Sequence, residues 1–337
     1  MATGEHGCVD VRFYRESDEE QVLSVLEAAF PAWPNVEVAV DPVDHLRWKL
    51  SSHPVAMRHH LVAECDGRIV AARCLWGQRA LAKGRELLLR QGIDTSVHPD
   101  YQGRGVMAEV RRFAPEAFVP AFDLHFGNQS VHPAMVALWE KEGQRRIGNR
   151  VEVFERPLHA RDAPPPAVAG DWSIASAGHF DERIDELWRE ACGGFDFIIV
   201  RDRAYLNWRY CDPRAGAFTV RLAERDGRIL GYCVLRMLRG KGYIADLLVL
   251  PERMDVAGSL VRDAVAHFVR AGAPAVRCWT MSHHPYNTML AGAGFSVRRR
   301  RKRELSYRLL GASAASLAFL DEPATAFHFP IGDTDLV

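Results

Sequence analysis

The chain has no net charge: its 337 residues carry 43 Lys+Arg against 43 Asp+Glu. No overall field then draws it toward nucleic acid or an anionic membrane. It has no uninterrupted apolar run long enough to span a bilayer, which argues against a membrane protein. Its first residues, Met1-Ala2-Thr3-Gly4-Glu5-His6, show no basic segment followed by an apolar one, so secretion is not expected. It has no C-x-x-C pair, and its 7 cysteines are an odd number. They read as reduced, packed thiols in a cytoplasmic protein rather than a disulfide framework. Zinc-type ligand spacing is also missing. His59-His60 and His283-His284 are adjacent pairs, which point to opposite faces of a strand, so no metal is expected. What remains, 48% hydrophobic and 26% charged residues, is the composition of a globular protein long enough for two domains.

The richest segment is Val97-His98-Pro99-Asp100-Tyr101-Gln102-Gly103-Arg104-Gly105-Val106-Met107. An apolar strand, Ile93 to Val97, runs into a Pro-bounded loop with two glycines one residue apart, and an amphipathic helix follows. Glycines let backbone amides approach a ligand, and a helix N-terminus favours anions. The segment is suited to hold a pyrophosphate. A dinucleotide fingerprint fits less well. Five residues, His98 to Gln102, separate strand from glycines, and Asp123 falls near the start of the next strand rather than at its end.

A second feature is an internal repeat. Trp48 matches Trp208 and Asp66-Gly67 matches Asp226-Gly227, at an offset of 160 residues. Further along the offset becomes 152, pairing Asp94 with Asp246, Val97 with Val249 and Pro133 with Pro285. The Asp-Gly pairs are tight-hairpin signals. Leu23, Leu26 and Phe30 mark the apolar face of one helix, and Ile184, Leu187, Trp188 and Ala191 that of its counterpart. Helices spaced between strands imply a mixed sheet with a parallel pair. The Pro-rich stretch centred on Pro164-Pro165-Pro166 reads as a linker. The expected division is a first domain over 8–157, a linker over 158–170, a second domain over 171–310 and a tail over 311–337 that docks on a domain.

The order V-x-P-x-x-Q-x-x-G-x-(small), carried by Gln102, Gly105 and Met107, resembles the acyl-CoA loop of the GNAT N-acetyltransferase family. Met107 stands where that family has Gly or Ala. Asn128, Pro133 and Ala137-Leu138-Trp139 through Gly143 resemble its second CoA motif, with Trp139 in place of the usual Tyr and Gln144 in place of Phe. The fold implied is α/β (α+β mixed): two tandem GNAT-like domains, each a mostly antiparallel mixed sheet with flanking helices and a parallel pair at the CoA site. The resemblance implies acetyl-CoA as co-substrate. Gln102, Gly103, Arg104, Gly105, Val106 and Met107 would cradle the pyrophosphate, Ser96 and Val97 would bond the pantetheine arm, and Asn128 and Trp139 would complete the site. The second half replaces the glycine loop by Pro251-Glu252-Arg253-Met254-Asp255, whose carboxylates would repel a pyrophosphate, so its copy is expected to be degenerate.

For the chemistry, the family commonly places a carboxylate on the strand before the CoA loop, and here that residue is Asp94. His125, on the following strand, is the second candidate base, with a packed strand histidine as the plainer reading. Trp139 donates an N–H but cannot act as the acid that the family's Tyr supplies. Trp48 and Trp208 read as core anchors or as the floor of an acceptor pocket. The run Arg298 to Arg303 reads as solvated sheet-end charge more than as a nucleic-acid site. The expected activity is transfer of an acetyl group to a primary amine of a small metabolite. A carrier-protein thiol as acceptor, decarboxylation of a malonyl thioester, and CoA binding without turnover are the other readings.

Overall fold

The computed structural model describes residues 9–55, 59–113, 121–128, 141, 143–159, 170–298, 304–311 and 315–336. The first half runs β1 (Asp10–Phe13), α1 (Glu19–Ala29), α2 (Pro42–Leu50), β2 (Leu61–Cys65), β3 (Arg68–Ala82), β4 (Arg85–Val97), α3 (Val106–Arg112), β5 (Leu124–Asn128), β6 (Arg145–Arg146) and β7 (Val151–Pro157). The second runs β8 (Ser173–Ala177), α4 (Arg183–Ala191), β9 (Phe197–Ile199), α5 (Arg203–Tyr210), β10 (Thr219–Arg225), β11 (Arg228–Leu238) and β12 (Lys241–Val249). It continues through α6 (Met254–Arg270), β13 (Ala275–Met281), α7 (Asn287–Gly292), β14 (Ser296–Val297), β15 (Leu305–Leu309) and, in the tail, β16 (Phe327–His328).

Local chemistry explains the repeat. Asp66 and Gly67 both take positive φ, 50° and 74°, and Asp226 and Gly227 do the same at 50° and 78°. Two left-handed residues make the turn whose twist matches the flanking strands. The apolar faces of α1 and α4 are buried: Val22, Val25 and Leu26 in one, Ile184, Leu187 and Ala191 in the other. The long strand after the hairpin, β4 in one half and β12 in the other, carries a bulge in both. One extra residue lies in β4 between its pairings Ala72↔Ser96 and Cys74↔Ile93. One lies in β12 between Val234↔Asp246 and Leu235↔Ile244. A bulge bends its strand and re-aims the side chains beside it.

The sheets do not follow the halves of the sequence. If each contiguous half completed its own sheet, β7 would close the first and β15 the second. Instead β15 pairs antiparallel with β5, Leu305↔Asn128 through Leu309↔Leu124. β7 pairs with β13, Val151↔Met281 through Pro157↔Ala275. The two halves have exchanged their last strands. Gly148 permits the crossing: a Cβ there would overlap the backbone of Asp321, and its N–H donates to Leu320 O at 2.8 Å. Alternation specifies which face of a strand is buried, not which of two similar sheets it joins.

The halves also meet at a pseudo-two-fold contact. Trp48 and Trp208 stack with centroids 4.9 Å apart and planes 18° apart. Trp48 Nε1 donates to Trp208 O at 2.8 Å, and Trp208 Nε1 donates to Trp48 O at 3.3 Å. Of the two readings of these tryptophans, the structure therefore shows the core anchor. The tail packs as another layer. β16 runs parallel to β9, which itself pairs with β3. Phe197, Phe327 and Phe126 stack there, and Ile331 through Thr334 are buried. Among the described residues all six cysteines are free thiols. No helix among them is long and apolar enough to cross a membrane.

Candidate active site

Among the described residues the first half holds an open cleft. β4 and β5 pair in parallel only at Leu89↔Leu124 and Arg90↔His125. Beyond that point β4 continues to Val97 and ends at the loop. His98 N donates to Val70 O at 2.8 Å, and Gln102 Nε2 reaches back to Val97 O at 3.1 Å. Gly103 and Gly105 take φ of 74° and 79°. Gly105 caps α3. A Cβ at either glycine would meet nothing within 4 Å, so glycine is used here for its backbone conformation and not for clearance. The first amides of α3 have no carbonyl within the helix to bond, and the left-handed residues before them turn their N–H groups outward. This donor set suits a pyrophosphate. Val106 is buried, and Met107 packs against the same apolar cluster, which contains Leu61, Val110 and Phe122. That packing explains a large residue at this position. The Arg104 guanidinium lies over the Tyr101 ring, 5.2 Å from its centroid.

Asp94 stands at the bulge of β4 with φ of 40°, a left-handed conformation unusual for a residue with a side chain. It accepts a hydrogen bond from the buried ammonium of Lys49 on α2. Burial works to discharge Lys49, but Asp94 and Asp335 outweigh it and hold the ammonium charged. Burial raises the Asp335 carboxyl, opposed by Lys49 and reinforced by Asp94. His45 Nδ1 lies 2.7 Å from Arg214 O, which assigns the proton to Nδ1 and leaves Nε2 as an acceptor. Burial and the nearby Lys49 push this imidazole down to about 4, so it is neutral. Asp94, Lys49, His45 and Asp335 line one cavity of about 620 Å³ between the halves. Its remaining wall includes Val153 of the exchanged strand and Tyr243, Arg277, Trp279 and Arg298 of the second half.

Not every candidate residue comes to this cavity. Leu124 and Phe126 belong to the core that also takes α1 and α2, so strand alternation puts His125 on the opposite, α3-facing side of the sheet. Burial and the charges of Arg90, Arg73, Arg308 and Arg111 hold its imidazole well below the usual range. His125 is therefore a weaker base than a free imidazole and stands across the sheet from Lys49. Ser96 is buried, and its hydroxyl has no hydrogen-bond partner among the described residues. The Asn128 side chain, Trp139 and the arginines from 299 to 303 lie outside the described residues. Among the described residues no three His, Cys, Asp or Glu side chains converge as a metal site requires.

The matching cleft of the second half is closed. β12 and β13 splay in the same way after Ile244↔Cys278. The amide of Val249, counterpart of Val97, donates to the Tyr286 hydroxyl at 3.2 Å. At the 152-residue offset the counterpart of Tyr286 is Ala134. Tail residues His328, Phe329 and Pro330 fill the rest, and the remaining cavity is about 10 Å³, about one water molecule. At the start of α6, Asp255 binds Arg253 at 2.9 Å and puts a carboxylate in the first turn of the helix. Asp246 is fully buried and accepts from Tyr232 at 3.0 Å and Tyr210 at 3.2 Å, beside Arg201 and His328. Burial opposes its charge, but Arg201, His328 and Tyr232 outweigh burial and hold the carboxyl at about 2. This aspartate is a core ion and not a base.

A duplicated mixed sheet with a splayed parallel pair and a glycine loop at its end is the framework of a CoA-dependent acyltransferase. Residues 10–114 match the Acetyltransferase (GNAT) domain, and residues 182–291 match the Acetyltransferase (GNAT) family. The chain is a tandem member of the GNAT family, with an acyltransferase fold in each half. No curated protein matches the sequence significantly. Among solved structures, a probable N-acyltransferase from Enterococcus faecalis is similar with TM-score 0.65 and 11% identity, over 90% of this chain and 73% of its own. A GCN5-related N-acetyltransferase from Anabaena variabilis gives TM-score 0.63 and 13% identity, over 90% and 73%. Saccharomyces cerevisiae N-myristoyltransferase, solved with myristoyl-CoA, gives TM-score 0.58 and 12% identity, over 90% and 80%. At these identities the likeness concerns the fold.

The sequence reading missed Lys49, His45 and Asp335. Lys49 follows the repeated Trp48 by one residue, and its counterpart is Arg209, so the repeat does mark a cation there. Asp335 carries no local signal. It reaches the cavity only because the tail is held against the other half.

Proposed function

We propose that the first half is an N-acyltransferase that uses acetyl-CoA and acylates a primary amine of a small metabolite. The observation that carries this is the placement of Asp94: at a strand bulge, three residues before Val97 and the glycine loop, and at the wall of a cavity large enough for a metabolite. The thioester supplies an activated acyl group when bound. Gly103 to Met107 hold its pyrophosphate, and the edge of β4 past Gln91, unpaired among the described residues, receives the pantetheine. The bulge turns backbone N–H groups toward the acyl end, where negative charge develops on the carbonyl oxygen. Asp94 receives a proton from the incoming ammonium, directly or through water, so that the amine attacks as a neutral nucleophile. The C–N bond forms, the C–S bond breaks and CoA departs as a thiolate; the proton that the nitrogen sheds on becoming an amide goes to that thiolate through solvent. Lys49 fixes the Asp94 carboxylate, and Asp335 balances the Lys49 charge.

The test is thiol release from acetyl-CoA across a panel of primary amines, with CoA affinity measured beside it by calorimetry. Turnover with at least one amine, lost in Asp94→Asn while CoA still binds, is expected. Thiol release that survives Asp94→Asn overturns the assignment of the base. CoA binding with no release for any amine overturns the transferase reading.

A further inference from the structure

The cavity is polarised, and its polarity specifies an acceptor class. The lining from the first half and tail is acid-rich: Asp94 and Asp335 face the single ammonium of Lys49. The lining from the second half is basic: Arg239, Arg277 and Arg298. Tyr243, Arg277 and Glu155 form one cross-strand row, because Tyr243 pairs with Arg277 and Arg277 with Glu155. Paired residues of a sheet share a face. Arg277 donates to Tyr243 Oη at 3.0 Å and to Glu155 at 2.5 Å, and Arg298 reaches the same Glu155 at 3.3 Å. Arg239 donates to the Asn35 carbonyl at 3.2 Å, a neutral partner. Among the described residues, two of these guanidiniums therefore share one carboxylate and the third meets only a carbonyl. Trp279, two residues along β13 from Arg277 and on the same face, adds a ring to the lining. Guanidinium groups match the geometry of carboxylates and phosphates.

We propose that the acceptor is an amine that also carries an anionic group, a carboxylate or a phosphate. Its ammonium is received by Asp94 and Asp335, and its anion by Arg239 and Arg298 beside Arg277. The inference rests on the transferase reading for the orientation of the amine, while its basic wall stands on geometry alone. It makes the second half, which has lost its own cleft, the specificity wall of the first. The exchanged strand β7 belongs to that wall, since it carries Glu155 and Val153.

The experiment uses the full chain with saturating acetyl-CoA and two matched pairs of amines: lysine against 1,5-diaminopentane, and glucosamine 6-phosphate against glucosamine. The member of at least one pair that carries the anion is expected to show kcat/KM at least tenfold above its partner without it, and the preferred pair tells carboxylate from phosphate. Arg298→Gln and Arg239→Gln are each expected to raise KM for that acceptor about tenfold, to change kcat less than threefold and to leave the partner without the anion unaffected. Glu155→Gln releases both neighbouring guanidiniums and is expected to lower the same KM. Equal use of both members in both pairs overturns the proposal, as does an equal change for both members in the arginine variants. Calorimetry of the same amines against the CoA-saturated protein separates this from failure of acyl transfer. Binding of the member that carries the anion, weakened by Arg298→Gln, supports the proposal even if no thiol is released. Binding that saturating CoA abolishes assigns the basic wall to the cofactor and overturns it.

Discussion

At residue 94 an aspartate holds a buried lysine at the wall of a cavity of about 620 Å³; at the repeated position, residue 246, an aspartate is sealed among two tyrosines, an arginine and a histidine beside a void of about 10 Å³. The strand bulge and splayed parallel pair are common to both. What differs is what enters the splay. In the second half the Tyr286 hydroxyl takes the Val249 amide and the tail fills the space. In the first, β4 beyond Gln91 keeps its edge among the described residues. A duplicated fold can thus keep one cleft for a ligand and turn the other into core. The closed copy is not idle. Arg201 and Tyr205 bind Asp333, Arg209 binds the carbonyls of Gly332 and Thr334, and the next residue, Asp335, lines the open cavity.

The largest expected contrast lies between the two aspartates. Asp94→Asn removes the proton acceptor and is expected to lower turnover by about 100- to 10,000-fold, the range of general-base catalysis. Its melting temperature and CoA affinity should stay near those of the parent, because Asp335 still faces Lys49. Asp246→Asn leaves the Arg201 charge buried with one fewer carboxylate. It is expected to cost about 3–5 kcal/mol of stability, measured by denaturant unfolding, with turnover per folded molecule retained. The comparison breaks if the two variants exchange these phenotypes.

A smaller effect distinguishes the glycines. Gly105→Ala forces a Cβ into a left-handed residue, a strain of about 1–2 kcal/mol. The loop is expected to relax and CoA affinity to fall about five- to thirtyfold. Gly227→Ala, at φ 78° in a hairpin of the second half, should lower stability by a similar energy and leave CoA affinity alone.

The mildest is a pH effect shared by both halves. Burial holds the imidazoles of His45 and His328 at about 4, that of His53 at about 3, and those of His60, His125 and His284 well below the usual value. In the unfolded chain they titrate near 6.5. The unfolded state then binds more protons between about pH 6.5 and pH 4, so stability is complete above that window and is lost as pH falls through it. Asp333, raised by burial to about 6, and Asp335, also raised by burial, work in the opposite direction, two groups against six. The melting temperature is expected to drop from pH 7 to pH 5; a flat or rising profile contradicts these assignments.

Much of the framework was legible because its signals are local. The Asp-Gly hairpins, the helix faces and the glycine loop are each written within a few neighbouring residues, and the repeat doubles every such signal. Asp94 was legible as a residue type at a strand end, though not as the bulged, left-handed residue it is. The exchange of β7 and β15 was not legible, since the apolar residues Val151 and Phe154, or Leu305 and Tyr307, could pack in either sheet equally. Nor was the cavity wall. Arg298 and Asp335 meet Asp94 across more than two hundred residues of sequence, through packing that periodicity does not encode.

The most direct test of the account is the stoichiometry of CoA binding to the full chain by titration calorimetry, on the parent, Gly105→Ala and Tyr286→Phe. One site per chain is expected, weakened by the first substitution and untouched by the second. Two sites, or a single site that Gly105→Ala leaves intact and Tyr286→Phe alters, would contradict it.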